Sequence, residues 1–189
     1  MVEGYANTIR PPGLGERLGA DEKRQDIRGR ESHSIMAMDL ATRFILAWEV
    51  SSTKMDYDAT KLLQAATARA GRPYRILITD GLSGYHTAFK KVFGALKGFA
   101  MHIRDIHIRN EFCNTNKQER VNGTFADRTN SARGINREDS LVYRVFVLHY
   151  NYIRPHAGIG GKTPAEAAGI EIRGHDKWLT LIQNAASAA

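Results

Sequence analysis

Cysteine is nearly missing from this chain: Cys113 is the single one in 189 residues. One thiol excludes an internal disulfide framework and a multi-cysteine zinc site. It suits a reducing, intracellular setting. No neighbouring residue would activate Cys113, so an inert thiol is expected. Long apolar runs are missing too. Stretches such as "VFVLHYNYI" are far too short to span a bilayer, so no membrane partner is expected. The opening "MVEGYANTIRPPG" lacks the apolar core of a signal peptide. There is no internal repeat, no low-complexity segment and no interior linker. No glycine-rich phosphate loop precedes a helix, and no Ser–His–Asp pattern occurs.

What is present describes an ordinary globular chain with an unusual charge. Hydrophobic residues make up 42% and charged residues 25%, both normal for a packed fold. The length favours one domain with a sizeable core. Acids are outnumbered: 20 Asp plus Glu against 27 Lys plus Arg leave a formal net charge of +7, and the pI is near 9.7. A positive field of this kind attracts polyanions, of which nucleic acid is the commonest in a cell.

Three segments are expected. Residues 1–17, with Pro11, Pro12 and three glycines, read as an extended lead-in. Residues 18–172 form the core. Residues 173–189 form a tail, ending in a frayed "NAASAA". Within the core, "SHSIMAMDLATRFILAWEVS" predicts two strands, Ile35–Met38 and Phe44–Val50, joined by a turn near Asp39–Thr42. Residues 18–27 are polar but can form an earlier strand before Gly29. Leu62, Leu63, Ala66 and Ala70 lie at helical spacing and stop at Gly71. A strand follows at 75–79, an amphipathic helix at 84–97 and a short strand within "GFAMHIRDIHI". "TNKQERVNGTFADRTN" predicts a helix opened by a Thr115–Gln118 capping box, and a last helix covers about 137–152. The result is a mixed α/β fold, a five-stranded sheet with helices on both faces.

Asp80 ends the apolar strand "RILIT". Ligands of open α/β sheets gather at the carboxyl ends of strands. A hard cation such as Mg²⁺ takes one or two protein carboxylates and leaves its other positions to water and phosphate. A two-metal phosphoryl-transfer site needs about three carboxylates, with ions roughly 3.5–4 Å apart. Glu119, near the start of its helix, is one partner, although the helix dipole alone would favour an acid there. Asp21 and Asp39 compete for the third place. Asp39 lies where the chain turns, a common place for aspartate. Asp21, if it lies mid-strand, has no inexpensive structural excuse. His102 and His107 are five apart and would face opposite sides of a strand, which argues against a shared metal. His156 reads as a structural residue after the last helix.

The pieces "ADEK", "MDLATRF", "LITDGLSGY", "NTNKQERVNGTF" and "YNYIRPHAGIGGKTPAEAAGI" occur in an order that resembles the catalytic domain of prokaryotic insertion-sequence transposases, of the integrase-like superfamily. The resemblance spans about 18–172, and its last piece is the most specific. It implies a ribonuclease-H-like fold and an Asp–Asp–Glu triad. By resemblance the triad is Asp21, Asp80 and Glu119, separated by 59 and 39 positions. Arg24, Gln25 and Asp26 depart from the apolar alternation usual after the first acid. Full-length relatives also carry an N-terminal helix-turn-helix region. Here 20 residues precede Asp21, so the chain is expected to be a catalytic domain alone.

The implied activity is Mg²⁺-dependent cleavage and strand transfer on DNA, with Mn²⁺ able to substitute. The acids would hold the metal ions. Lys117 and Arg120 flank Glu119 and would contact phosphate, or else form a solvated helix face. Arg128, Arg133 and Arg137 continue the basic stretch. Asn116 would orient Glu119, touch DNA or cap the helix. Transposon ends and target DNA are the implied partners, in a homo-oligomer, in the nucleoid-associated cytoplasm of a prokaryotic cell. The competing readings are a ribonuclease-H-like nuclease without transposition and an inactive DNA-binding fragment.

Overall fold

A computed structural model describes residues 1–52, 56–80, 83–94, 100–104, 116–131, 137 and 140–188. In chain order the strands are β1 (Arg17–Ile27), β2 (Arg30–Asp39), β3 (Ile45–Ser51), β4 (Ile76–Thr79) and β5 (Met101–Arg104). The helices are α1 (Val2–Thr8), α2 (Asp56–Ala70), α3 (Ser83–Phe93), α4 (Asn116–Ser131), α5 (Leu141–Leu148), α6 (Pro164–Ala167) and α7 (Lys177–Ser187). The strands form one sheet in the order β3-β2-β1-β4-β5. β1, β2 and β3 are antiparallel, whereas β4 and β5 run parallel to β1. This is the expected mixed five-stranded sheet.

The polar first strand is real and long. It is held because β1 and β2 pair along their whole length, from Leu18 opposite Asp39 to Ile27 opposite Arg30. Arg28 and Gly29 both have positive φ, 56° and 73°, as a two-residue type I′ hairpin turn requires. Asp26 secures that turn by accepting from the Gly29 amide at 2.6 Å.

Strand alternation sorts side chains into two cores. On one face Leu18, Ala20, Ile35, Ala37 and Leu77 pack with Leu62, Leu63, Tyr85 and Ala88 of α2 and α3. On the other, Met36, Met38 and Ile78 pack with Val121 and Phe125 of α4 and with Tyr143 and Phe146 of α5. Trp48 joins this second core, 4.9 Å from the Phe125 ring and 5.5 Å from Phe146.

Several boundaries differ from expectation. The lead-in is not wholly extended, because residues 2–8 are helical. Ala6 is buried there, and Val2, Tyr5 and Ile9 pack on the first core. Nor is the end of the chain frayed: α7 is capped by Asp176 and buries Leu181 and Ala185. "NAAS" is its last turn. The 84–97 helix ends earlier, at Phe93. The 137–152 helix begins at Leu141, after its Ser140 cap, and finishes as a π turn over His149–Ile153. Thr115 lies outside the described residues. The expected capping box with Gln118 therefore lies partly outside them; the Gln118 amide itself is buried without a hydrogen-bond partner. A capping box does form further on, between Thr163 and Glu166 at α6. Among the described residues no helix is long and apolar enough to cross a membrane.

Candidate active site

Gly19, Asp21 and Lys23 alternate onto the β1 face covered by α4. A Cβ at Gly19 would collide with the Gln118 amide, so glycine here permits close approach of helix to strand. Lys23 Nζ donates to the Asn122 carbonyl at 3.1 Å. Between them Asp21 is 8% exposed, and its Oδ2 accepts from Asn122 Nδ2 at 2.7 Å.

Asp80 follows β4 directly. Ile78 lies opposite Gly19, so period-two alternation carries Asp80 to the Asp21 face. Glu119 is exposed on α4. Asp21 feels the charges of both Asp80 and Glu119. Burial pushes Asp21 from 3.8 up to about 6, and the charges of Asp80 and Glu119 push the same way, against the hydrogen bonds from the Glu22 backbone and Asn122. Tyr85 of α3, in the core on the other face of the sheet, has its phenol raised well above its ordinary value by burial and by Asp21, Asp80 and Glu22. Among the described residues no three His, Cys, Asp or Glu side chains stand close enough together to hold a metal ion. The donor chemistry nonetheless suits a hard cation: oxygen ligands only, one of them desolvated and destabilised by like charge.

Asp39 is occupied elsewhere. Its Oδ1 accepts from the Ala41 amide, the Thr42 amide and the Thr42 hydroxyl at 3.1, 2.8 and 2.8 Å. Its Oδ2 accepts from the Tyr74 hydroxyl at 3.1 Å. These bonds fix the β2–β3 turn, the role that aspartate commonly plays there.

The basic residues divide. Asn116 is exposed at the first position of α4. Lys117 is half-buried and donates to the Leu40 carbonyl at 2.7 Å. Burial, Arg43 and Arg17 lower its pKa. Arg120 is exposed. Arg128 packs onto α5 and the π turn, 3.3 Å from His149 Nδ1 and 5.9 Å from the Phe146 ring centre. At 100° per residue, Lys117, Arg120 and Arg128 share one flank of α4, and Glu119 leaves on another. Arg133, His107 and Cys113 lie outside the described residues. His102 meets the Thr79 hydroxyl at 3.0 Å and stacks on Phe89. His156 is buried, its ring 4.4 Å from that of Tyr150.

Sequence reasoning missed Gly19, Asn122 and Tyr85. Asn122 had a signal, since it stands three residues after Glu119 and so shares a helix face with it. Gly19 inside a strand also had one. Tyr85 had none beyond its place in the apolar rhythm of α3.

A mixed sheet in this order, with helices on both faces, is the fold of ribonuclease-H-like integrase cores. Two solved structures of the HTLV-2 integrase catalytic core domain in complex with magnesium, in dimeric and trimeric forms, match at TM-score 0.63 and 12% identity, covering 83% of this chain and 97% of theirs. The simian T-cell lymphotropic virus intasome in complex with the PP2A regulatory subunit B56 gamma matches at TM-score 0.62 and 13% identity, covering 86% of this chain. This chain spans 57% of the length of that intasome chain. No protein-family model and no curated protein matches the sequence.

Proposed function

We propose that the chain is the catalytic core of an insertion-sequence DNA transposase, which cleaves transposon ends and joins them to target DNA. The observation that carries this is the buried carboxylate of Asp21 on the sheet face that it shares with Asp80, beneath the helix that bears Glu119. An acid raised chiefly by burial and then by a neighbouring acid is out of place in a merely structural sheet and suited to a cation site. The integrase-core fold supports the same reading, and so does the block around Arg154, Pro155 and His156.

Asp21, Asp80 and Glu119, which are not preassembled as a three-ligand cluster, would close on the metal when it binds, each through carboxylate oxygens. Magnesium or manganese bound there would help to generate a water or 3′-hydroxyl nucleophile and stabilise the leaving oxygen of an in-line displacement. Asn122 orients Asp21 by donating to Oδ2 at 2.7 Å. Gly19 lets α4 settle close to β1. Asn116, Lys117, Arg120, Arg128 and Arg133 are assigned to DNA contact, with Asn116 and Arg120 the more exposed of those described. Transposon ends and target DNA are the partners. Two ends must be brought together, so a homo-oligomer is expected in the cytoplasm of a prokaryotic cell.

The test is cleavage and strand transfer on labelled DNA with Mg²⁺ or Mn²⁺. Asp80→Asn and Glu119→Gln should abolish product while circular dichroism stays unchanged. Full activity in both variants would refute the assignment.

A further inference from the structure

On the flank of α4 away from Glu119 lies a second concentration of chemistry. A cleft of about 410 Å³ opens between α4, the β2–β3 turn and the segment after the π turn. Four cations line it: Arg43, Lys117, Arg120 and Arg154. Asp127 is the one carboxylate on its wall among the described residues. Single basic residues on a helix are usually a solvated face, but these come from three separate parts of the chain.

The fold works to place them. Arg43 has a φ of 62°, unusual for a residue with a side chain. Its Nε is buried without a hydrogen-bond partner. Its guanidinium lies against Gly158, where a Cβ would collide with it. Arg154 leaves the end of the π turn, a helix form frequent at functional sites. His156 is 9% exposed, and its Nε2 is also buried without a partner. Burial, Arg154 and Arg43 push His156 down to about 4. Among the described residues, no acid pairs with Arg43, Arg120 or Arg154. Gathering like charges around the partnerless Arg43 Nε–H in one cleft is unfavourable unless an anion completes it.

We infer that this cleft is a phosphate-binding site, built by Arg43, Arg120 and Arg154 with His156 on its wall, and that the phosphate it takes is a backbone phosphate of DNA. Arginine forks suit phosphate oxygens. A strand held at Asp21, Asp80 and Glu119 would cross α4, about 10 Å wide, to reach it. Gly123, on the wall of the cleft, adds no side chain to that crossing. The DNA source rests on the proposed function; the phosphate site does not.

Two measurements in EDTA test this without catalysis. First, inorganic phosphate is titrated at constant ionic strength while the His156 ring signals are followed by NMR. The wild type should show a saturable shift, and the Arg43→Ala/Arg154→Ala double variant none. Second, a labelled duplex is bound across a salt series. The double variant should bind roughly 10-fold more weakly, with a salt slope lower by about one to two. Circular dichroism checks its fold. Gly158→Ala, which displaces the Arg43 guanidinium and keeps every cation, should show the same losses in milder form. A phosphate shift with unchanged DNA binding would support the phosphate site and overturn DNA as its source. No phosphate shift, together with wild-type DNA binding in both variants, would overturn the proposal. Glu119→Gln should keep the wild-type phosphate shift and salt slope while losing cleavage, so either reading can fail without the other.

Discussion

Replacing Asp21 with asparagine should make the protein more stable at neutral pH. The side chain is 8% exposed and raised from 3.8 to about 6, chiefly by burial and then by Asp80. That rise corresponds to about 3 kcal/mol of added cost for the charged form. The folded state holds the proton more tightly than the unfolded chain. Stability from this group is therefore present below pH 3.8 and is lost as pH climbs to about 6. Asparagine has no such penalty, and its carbonyl can still accept from Asn122. Residual solvent and relaxation reduce the gain, so Asp21→Asn should add about 1–3 kcal/mol at pH 7.5 and little at pH 4. Urea unfolding in EDTA at the two pH values measures the difference. A variant no more stable than wild type at pH 7.5, with no pH dependence in the difference, would refute the reasoning. Adding Mg²⁺ should then raise the wild-type midpoint and leave that of Asp21→Asn unmoved, because a ligand stabilises only the state that binds it.

Three further outcomes are expected. Asp39→Ala leaves two amides, the Thr42 hydroxyl and the Tyr74 hydroxyl without their acceptor, and should cost about 2–4 kcal/mol in urea unfolding. Gly19→Ala should push α4 from β1, cost about 1–3 kcal/mol and reduce DNA cleavage, because Gln118 fills the space a Cβ needs. Asn122→Ala removes a hydrogen bond that lowers the Asp21 pKa, so the acid limb of the pH–cleavage profile should move to higher pH.

The fold was legible where apolar periodicity is strong. β2, β3, β4, α2 and α3 followed from alternation or helical spacing, with boundaries off by a few residues. β1 was harder, because Arg24, Gln25 and Asp26 hide a strand that pairing with β2 maintains. α1 and α7 were invisible because each buries few residues, and only against the assembled core. At the site, acids at a strand end and near a helix start could be read one at a time. The burial of Asp21 could not, because it depends on Gly19 drawing α4 onto β1. The basic cleft was hidden for a similar reason: Arg43, Arg120 and Arg154 meet only once the β2–β3 turn and the π turn are in place.

The central claim is that Asp21, Asp80 and Glu119 form one cation site. Mn²⁺ binding, followed by the loss of the free-ion electron paramagnetic resonance signal, tests it most directly. Wild type should bind saturably at pH 7.5, and each of Asp21→Asn, Asp80→Asn and Glu119→Gln at least ~10-fold more weakly, equivalent to about 1.4 kcal/mol or more. Wild-type Mn²⁺ affinity in all three variants would contradict it.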